Sequence, residues 1–481
     1  MNYRMMAYIL GNILQVEGLF IMASAVLAAS FGEMDAFFAF IITICITLAI
    51  GTALARIKIT NRKIYGREGF VIVAMAWIVM SFFGAMPFYF SGAIEGPVNC
   101  FFETVSGFTT TGASILTDIE SLPKSILFWR SFTHWIGGMG ILVFMLAIMS
   151  KVDERSMHLM RAEAPGPVVS KLVPKVKSTA KILYSIYIFL TLLQMLLLFL
   201  GGMPLFDSVV NALSTAGTGG FAIKNASIAA YDNAYFEYVI TIFMFLFSVN
   251  FNLYYLLLIK DFRNVFKSEE LKYYLVIVLG SIAVITFNIL SYYPTLESAF
   301  RHAAFQVLAI SSTTGFATAN FDTWPELSKS LLVILTIFGA CGGSTGGGIK
   351  ISRLIIFLKM AGREIRQINH PRSVNIIKLD GHRVDESVVH GVGGFMIVYL
   401  FILFGSFLLI SLDNYDFTTS LTSVLTCLGN VGPGLSMVGP VENYSFFSNF
   451  SKIVLSFNML LGRLEIFPII MLFSPSVWKR N

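Results

Sequence analysis

The sequence predicts an all-α integral membrane protein in which ten membrane spans and four re-entrant loops surround a central pore. Three observations predict this architecture. Of the 481 residues, 56% are apolar and 13% are charged, whereas soluble globular proteins carry about 25% charged residues. Apolar runs long enough to cross a membrane recur from one end of the chain to the other. Four similar segments, rich in threonine and glycine, lie between these runs.

Composition also excludes several classes of protein. A soluble chain of this length would form about three domains, but the recurring apolar runs indicate one membrane-embedded body rather than an enzyme with an anchor. The net charge of +6 does not indicate a nucleic-acid partner, because the basic residues lie in loops. The cysteines form no CxxC motif and have no paired histidine spacing, so neither a disulfide framework nor a zinc site is indicated. They are Cys45, Cys100, Cys341 and Cys427.

The membrane spans follow from the length of the apolar runs. A helix of about 20 apolar residues crosses a hydrocarbon layer of about 30 Å. We expect the first run to be a retained helix rather than a signal peptide, because it is long and has little charge before it. The ten predicted spans are 8–30, 36–56, 70–93, 125–149, 180–202, 236–259, 271–293, 327–359, 391–412 and 448–473.

Lysine and arginine are distributed unevenly between the two sides of these spans. The two ends of the chain and the gaps 56–67, 151–181, 260–272 and 350–383 hold 27 of the 34 basic residues. Because basic loops remain in the cytoplasm, both termini are predicted to be cytoplasmic. Acidic residues gather in the opposite gaps, which favours an outer mouth that attracts cations; ordinary solvated loop charge is the alternative. These acids include Glu95, Asp118, Glu120, Asp207, Glu297, Asp322 and Asp416.

Four outward gaps share one pattern, a short apolar stretch that ends in threonine and glycine. The segments are FFETVSGFTTTGAS (101–114), VNALSTAGTGGFAI (210–223), FQVLAISSTTGFAT (305–318) and TSVLTCLGNVGPGL (422–435). Their last shared glycines are 108, 95 and 117 residues apart, and such near-regular spacing indicates an internal array. The predicted units are two N-terminal transmembrane helices at 1–68, followed by pore repeats at 69–177, 178–268, 269–380 and 381–481.

Each short stretch is predicted to be a half-helix that enters from outside and turns back, because about ten residues cannot cross the bilayer. Non-helical backbone at membrane depth is tolerated where protein or a water-filled pathway satisfies it, and carbonyl oxygens on glycine turns can replace the hydration shell of a cation. The half-helix C-termini would favour the same ion. Helix packing through small residues could explain one segment, but four equivalent segments favour a selectivity filter. Its predicted residues are Thr110, Thr111, Gly112, Thr218, Gly219, Gly220, Thr313, Thr314, Gly315, Asn430, Val431 and Gly432.

This fourfold pattern of span, half-helix, glycine turn and span over residues 69–481 resembles the TrkH/KtrB/HKT superfamily of potassium transport proteins. The two spans in front make it more similar to TrkH than to KtrB. The resemblance implies one potassium pore in each chain, with potassium bound in the filter, a homodimer, and a cytosolic nucleotide-binding TrkA-type ring docked beneath. It implies that Gly112 favours potassium, since a sodium-favouring relative has serine there. Only Asn430-Val431-Gly432 approaches the TVGYG pattern of potassium channels, so a shorter and less selective filter is expected.

The predicted span 327–359 is too long for one crossing and contains GACGGSTGGG at 339–348. Each glycine in a helix costs about 1 kcal/mol relative to alanine, so the helix should break there. A phosphate-binding loop is disfavoured, because Ile349 separates Gly348 from Lys350 where the motif needs a Gly-Lys pair. We expect a flexible loop that gates the pore from below, as the resemblance also implies; a passive kink is the alternative. The candidate gate residues are Gly342, Gly343, Gly346, Gly347, Gly348, Lys350 and Arg463.

Arg463 lies in the middle of the last predicted span. A charge near the bilayer centre costs at least about 2.5–3.5 kcal/mol, so the guanidinium needs a partner or water. Glu465, two positions away, lies on a different helix face, and carbonyls freed by the 339–348 break are better candidates. A guanidinium paired with the loop would form one barrier to cations; a structural clamp between two helices is the alternative.

Three other ionisable residues lie in apolar sequence. Glu17, outside the repeats, is interpreted as a packing or interface carboxyl. Glu103, within the first half-helix, either hydrogen-bonds behind the filter or lines the vestibule. His134 is interpreted as a buried hydrogen-bonding residue rather than a proton carrier. The sequence shows no series of Asp, Glu and His across the membrane, so proton coupling is unsupported.

The sequence therefore predicts potassium uptake across the plasma (inner) membrane through the filter, gated by the loop and by a cytosolic partner. The basic loops 151–181 and 350–383 are predicted to form the docking surface, with membrane lipid headgroups as the alternative contact. A sodium- or proton-coupled symporter working by alternating access is the rival function. An enzyme is disfavoured, because the sequence offers no nucleophile–base pair, metal ligands or cofactor motif.

Overall fold

Helices form nearly all of the regular structure. The structure, a computed structural model, describes residues 1–59, 65–140, 176–372 and 375–478. The one sheet in this part of the chain is a hairpin in which Lys378–Leu379 pairs antiparallel with His382–Arg383. The α-helices are Tyr3–Phe31, Met34–Ala55, Gly66–Gly84, Met86–Phe90, Pro97–Phe108, Lys124–Met139, Val176–Leu200, Leu205–Gly217, Ala234–Ser248, Phe251–Leu258, Phe262–Lys267, Glu269–Asn288, Leu296–Ser311, Glu326–Ile337, Ile351–Asn369, Glu386–Ile410, Phe417–Gly429, Asn449–Arg463, Phe467–Phe473 and Pro475–Trp478.

The chain is a multi-pass membrane protein by its helix lengths and composition. Within the described ranges, six helices are long and apolar enough to cross a membrane, and a bent pair would make a seventh. The helical, membrane-embedded class is therefore confirmed, whereas the number of ten spans stays a prediction. The six helices are Tyr3–Phe31, Met34–Ala55, Gly66–Phe90, Ala180–Leu200, Glu269–Asn288 and Glu386–Asp413.

The first two helices form a closely packed hairpin. A Cβ added at Gly11 would lie 2.7 Å from the carbonyl oxygen of Gly51 and 2.6 Å from the amide of Ala55. Small residues at such a crossing allow two membrane helices to approach each other. Gly32 ends the first helix with φ at 73°, a backbone conformation that other residues rarely adopt.

Four short helices are largely buried along their C-terminal halves, although they carry serine and threonine side chains there, whereas their first turns contain exposed residues. Their lengths run from 12 to 16 residues, which is shorter than the roughly 20 residues that a membrane crossing needs. They lie in the four outward gaps where half-helices were predicted, but each begins before the segment singled out from the sequence, at 97, 205, 296 and 417 instead of 101, 210, 305 and 422. We number them half-helix 1 to 4, and they span Pro97–Phe108, Leu205–Gly217, Leu296–Ser311 and Phe417–Gly429.

Each half-helix is followed by another helix that ends after only 12 to 16 residues. We call these return helices 1 to 4. The predicted break in the third is confirmed, because helix ends at Ile337 and resumes at Ile351. The end of the predicted span 125–149 lies outside the described residues after Gly140. The return helices span Lys124–Met139, Ala234–Ser248, Glu326–Ile337 and Asn449–Arg463.

The continuous spans predicted at 236–259 and 448–473 are wrong. Return helix 2 is followed by Phe251–Leu258 at an angle of 91°, because Val249 is extended and the Asn250 side chain caps the second segment. Return helix 4 is followed by two residues with positive φ, Glu465 and Ile466. All four return helices therefore end early.

Candidate functional site

All four half-helices end in the same hydrogen-bonded turn. In each, one backbone amide donates to the carbonyl three residues earlier and the next amide donates to the carbonyl five residues earlier, which is the Schellman arrangement. The three-residue bonds run from Thr110 to Gly107, Thr218 to Thr215, Thr313 to Ile310 and Asn430 to Cys427. The five-residue bonds run from Thr111 to Ser106, Gly219 to Ser214, Thr314 to Ala309 and Val431 to Thr426.

The left-handed position of each turn is occupied by a residue other than glycine. φ is 55° at Thr110, 56° at Thr218, 62° at Thr313 and 54° at Asn430, although glycine is the usual residue at this position. Such a conformation costs about 1–3 kcal/mol and persists only where the surrounding structure enforces it. All four side chains are fully buried. Two residues later, the glycines aligned from the sequence also share a positive φ, and they are Gly112, Gly220, Gly315 and Gly432.

We number the turns 1 to 4 after the half-helices that they end. The four turns contact one another in a closed ring. Each aligned glycine lies against the carbonyl oxygen of the next turn so closely that an added Cβ would collide with it. The order runs from turn 1 to 2, 3 and 4 and returns to turn 1. The pairs of glycine and carbonyl are Gly112 with Gly219, Gly220 with Thr314, Gly315 with Val431, and Gly432 with Thr111.

The carbonyl oxygens of Thr111, Gly219, Thr314 and Val431 accept no hydrogen bond from any group in the part of the chain that the structure describes. All four residues are buried, and buried carbonyls are normally paired. Within the same described residues, no group of three or more His, Cys, Asp or Glu side chains is placed to hold a metal ion. Coordination of a cation at the ring would therefore fall to backbone oxygens.

A cavity of about 110 Å³ lies against the ring and is lined by all four aligned glycines. Its wall includes Lys224 and Asn225, which bond two acids in the loop before return helix 1. The Asn225 amide donates to Asp118 over 3.0 Å, and the Lys224 ammonium donates to Glu120 over 3.0 Å. These hydrogen bonds lower the pKa of both carboxyls. The predicted acidic mouth thus contains charges of both signs at this point.

A buried ion pair supports turns 1 and 2 from behind. Arg130 Nε donates to Glu103 Oε1 over 2.8 Å, and the two side chains are 1% and 0% exposed. Arg130 also donates to the carbonyl of Ala222 over 3.1 Å and lies 4.0 Å from the centre of the Phe221 ring. Glu103 in turn accepts from the Ile115 amide over 3.0 Å. Of the two predicted roles for Glu103, the structure shows the hydrogen bonds behind the turn.

Turn 4 is held by two polar side chains. The Tyr444 hydroxyl donates to the carbonyl of Gly432 over 2.7 Å. The Asn430 amide donates to Thr111 Oγ1 over 3.0 Å and to the carbonyl of Met459 over 2.8 Å. These bonds connect turn 4 to turn 1 and to return helix 4.

His134 and Glu17 are both buried, as predicted. His134 Nδ1 accepts from the Phe221 amide over 3.5 Å, and its ring stacks on that of Phe221. Neither carboxylate oxygen of Glu17 has a hydrogen-bond partner among the described residues. A Cβ added at Gly84 would lie 3.2 Å from one of them, so Glu17 packs against the helix Gly66–Gly84.

The segment between Ile337 and Ile351, which we call the intramembrane loop, lies against turns 3 and 4. The Gly347 amide donates to Thr313 Oγ1 over 2.7 Å, and a Cβ at Gly347 would meet Asn430. The Lys350 ammonium donates to the carbonyls of Gly346 and Gly347. Of the loop residues predicted from the sequence, Gly346 and Gly347 thus contact turns 3 and 4, whereas Gly342 and Gly343 lie against Glu270 and Asn250.

Arg463 connects the intramembrane loop to turn 1. Its guanidinium donates to the carbonyl of Thr345 over 2.7 Å and to Thr110 Oγ1 over 3.4 Å. The partner predicted from the sequence, a carbonyl of the broken segment, is therefore confirmed. Two further acceptors were not predicted, the carbonyls of Gly137 and Gly138 at 2.5 and 2.7 Å. They lie at the C-terminal end of return helix 1, where the helix dipole favours a cation.

Sequence reasoning missed Arg130, Tyr444 and Glu270 as parts of the site. Arg130 lies in the apolar stretch FWRSF, so the criterion that singled out Arg463 would have found it. Tyr444 lies in an outward gap among polar residues and gives no comparable signal. Glu270 accepts from the amide of Gly342, but in the sequence it is one of two adjacent acids at the start of a span.

Comparison with known proteins gives consistent similarities. The family model TrkH, described as a cation transport protein, matches residues 36–480. The chain is 36% identical over 454 residues to the Trk system potassium uptake protein TrkH of Salmonella typhimurium, with 92% of each chain covered. It is 34% identical over 489 residues to the TrkH of Halomonas elongata, with full coverage of both. The crystal structure of the potassium transporter TrkH from Vibrio parahaemolyticus matches with a TM-score of 0.89 and 30% identity over 100% of both chains.

Replacing Arg130 with glutamine should strongly destabilise the protein. The Glu103 carboxylate would remain buried without its counter-charge, and such a loss lowers the free energy of unfolding by about 3–5 kcal/mol. The Lys224→Gln variant is the control, because the Lys224–Glu120 pair is exposed and exposed pairs contribute little. Thermal unfolding of the purified proteins in detergent measures both. Equal melting temperatures for the two variants would contradict this assignment.

Proposed function

Because the chain belongs to the TrkH family of cation transport proteins, we propose that it takes up potassium across the plasma membrane through the ring of four turns. The family consists of transport proteins, so the chain is a transporter and not an enzyme. Its relatives are named Trk system potassium uptake proteins, which supports potassium as the substrate.

The observation that carries this proposal is the set of four buried carbonyl oxygens without a donor, at Thr111, Gly219, Thr314 and Val431. A buried carbonyl without a partner costs free energy, and a dehydrated cation coordinated by several of them would remove that cost. Carbonyl rings of this kind replace the hydration shell of potassium. We therefore assign the filter to the twelve predicted residues, three in each turn, with potassium bound by their backbone oxygens.

The half-helices add a long-range attraction to this coordination. Each C-terminus carries a partial negative charge equivalent to about half an elementary charge, and all four end at the ring. This field favours a cation at the ring and opposes an anion. It has no preference between potassium and sodium, so the choice between them is assigned to the carbonyl geometry fixed by the four glycines.

We assign the gate to the intramembrane loop together with Arg463. The loop lies under turns 3 and 4, and Arg463 bonds it at Thr345. Two cationic groups, the Arg463 guanidinium and the Lys350 ammonium, thus accompany the loop beneath the ring and oppose the passage of potassium. The glycines at 342, 343, 346, 347 and 348 are assigned the flexibility that opening requires.

The assembly that we propose follows the family. Ten spans would place both termini in the cytoplasm of a bacterium, with four pore repeats in the inner membrane. Two such chains would form a homodimer above a cytosolic TrkA-type nucleotide-binding ring, and the name Trk system of the relatives supports such a component. The basic segment 350–383 would dock this ring or contact lipid headgroups; of the other predicted docking loop, 151–181, residues 151–175 lie outside the described ranges.

The purified chain in liposomes should carry rubidium, a potassium analogue, down its gradient more readily than sodium. Isotope uptake measures the flux, and planar-bilayer recording should give unitary currents, because the ring is a fixed pathway. Empty liposomes are the control. Uptake that requires an imposed sodium or proton gradient, without unitary currents, would favour the coupled symporter instead.

The Gly220→Ala variant should lose most of its discrimination between potassium and sodium. The added Cβ would collide with the Thr314 carbonyl, and alanine does not favour the φ of 75° found there. Gly280→Ala is the matched control, since a Cβ there has open space on the helix Glu269–Asn288. Competition of rubidium uptake by sodium measures the effect. Retained discrimination in Gly220→Ala would remove this glycine from the filter.

The Arg463→Ala variant should conduct more than the original chain, because both the charge and the bond to Thr345 are lost. We expect an increase of about tenfold in rubidium flux, the factor that one charged hydrogen bond represents. Lys329→Gln is the control, because Lys329 pairs with Glu326 in the first turn of return helix 3, at the end of that helix opposite to the intramembrane loop. A flux unchanged from the original would make Arg463 a structural clamp.

A further inference from the structure

Glu270 is a buried acid that neither the ring nor the assigned gate uses. It is the second residue of the helix Glu269–Asn288 and is 7% exposed. Its neighbour in sequence, Glu269, is more exposed and pairs with Lys359 on another helix. Two adjacent carboxylates on one helical turn therefore have different surroundings.

One oxygen of Glu270 bonds the backbone at two points, one within the intramembrane loop and one just after it. Oε1 accepts from the amide of Gly342 over 2.7 Å and from the amide of Ser352 over 3.0 Å. Gly342 lies near the start of the loop, and Ser352 is the second residue of the helix that follows it. The carboxylate thus joins two points of the backbone that have Gly343, Gly346, Gly347 and Gly348 between them.

Electrostatics strengthens this contact. The amide of Ser352 belongs to the first turn of the helix Ile351–Asn369, where the helix dipole and unpaired amides favour a negative charge. Hydrogen bonds to a charged acceptor are about twice as strong as neutral ones, and burial strengthens them further. Glu270 therefore binds the amides of Gly342 and Ser352 strongly.

The base of the loop is closed by its own backbone bonds, from the Gly339 amide to Ile349 and from the Ile351 amide to Ala340. The segment between them has little stiffness of its own, so it depends on such anchors. Six of the ten residues in 339–348 are glycine, and glycine restricts the backbone least. The part that contacts turns 3 and 4, at Gly346 and Gly347, lies between the two amides that Glu270 holds. While Gly342 and Ser352 are held, Gly346 and Gly347 stay in contact with turns 3 and 4.

We propose that Glu270 is the positioning residue that keeps the intramembrane loop under the ring, and that the loop can leave only when this carboxylate releases Gly342 or Ser352. This inference rests on the proposed function, since it assigns a regulatory residue to the gate described there. Arg463 holds the middle of the loop at Thr345, whereas Glu270 holds Gly342 and Ser352 on either side of it. The two side chains lie on different helices and so control the loop from different elements.

The first test compares two adjacent glutamates in the full chain reconstituted in liposomes. The Glu270→Ala variant should raise rubidium flux about tenfold, because both bonds to the loop are lost. Glu269→Ala is the matched control, since it removes a carboxylate from the same turn but leaves the loop bonds in place, and its flux should equal that of the original chain. Glu270→Gln keeps an oxygen acceptor and should restore most of the closed behaviour.

A second readout follows the loop itself through Cys341, which is 1% exposed and adjacent to Gly342. In a variant in which Cys45, Cys100 and Cys427 are replaced by serine or alanine, a small methanethiosulfonate reagent should modify Cys341 slowly. Adding Glu270→Ala should speed the modification about tenfold, as the flux does, and adding Glu269→Ala should not. This readout remains valid if the altered loop blocks the pathway instead of opening it.

The outcomes separate this inference from the function on which it rests. Equal flux and equal Cys341 reactivity in Glu270→Ala and in the original chain would overturn the role of Glu270 and leave potassium transport intact. Equal effects of Glu269→Ala and Glu270→Ala would also overturn it, because a general loss of charge would then explain both. If the original chain carries no rubidium, the proposed function fails, while a change in Cys341 reactivity confined to Glu270→Ala would still support its hold on the loop.

Discussion

The structure depends on one constraint: four carbonyl oxygens are buried at the ring without a hydrogen-bond donor among the described residues. Most buried backbone oxygens are paired inside secondary structure, so an arrangement that leaves four of them open must be imposed by the surrounding protein. The left-handed threonines and asparagine turn the chain away from the half-helices, and the glycines let the neighbouring turns approach. The half-helices, the strained turns and the close contacts at the ring thus act together to hold four carbonyl oxygens without a hydrogen-bond donor.

The polar side chains around the ring divide into two groups by the oxygen they bind. Arg130 and Tyr444 bond the carbonyls of Ala222 and Gly432 and leave the oxygens of Thr111, Gly219, Thr314 and Val431 open. Arg463 and Lys350 bond carbonyls of the intramembrane loop. Each buried cation therefore has protein acceptors, which removes much of the cost of its burial. Arg130 lines the cavity against the ring, whereas Arg463 and Lys350 bond the intramembrane loop. The cavity side and the loop side of the ring therefore have different charges near them.

Much of the site could be predicted from the sequence, because its signals are local. Short apolar stretches and threonine–glycine endings identified the half-helices, and the run of glycines at 339–348 identified the break. The ends of return helices 2 and 4 were not predicted, because hydropathy is insensitive to a bend and the segments around them are mostly apolar. Asn250 after the first and Pro468 after the second are the local signals of a break. The left-handed threonines were also hidden, since threonine is not a typical turn residue. The Arg130–Glu103 pair joins residues 27 positions apart, a contact that only the packed structure reveals.

The ring is built from four different segments of a single polypeptide. In a pore assembled from four identical subunits, one codon change alters all four quadrants at once, so a pore changed in only one quadrant does not arise. Here the arginine–glutamate pair supports turns 1 and 2 and a tyrosine supports turn 4, so the four turns do not share the same supporting side chains. In the filter that we propose, a substitution in one turn would change ion preference in one quadrant and leave the other three turns as they are.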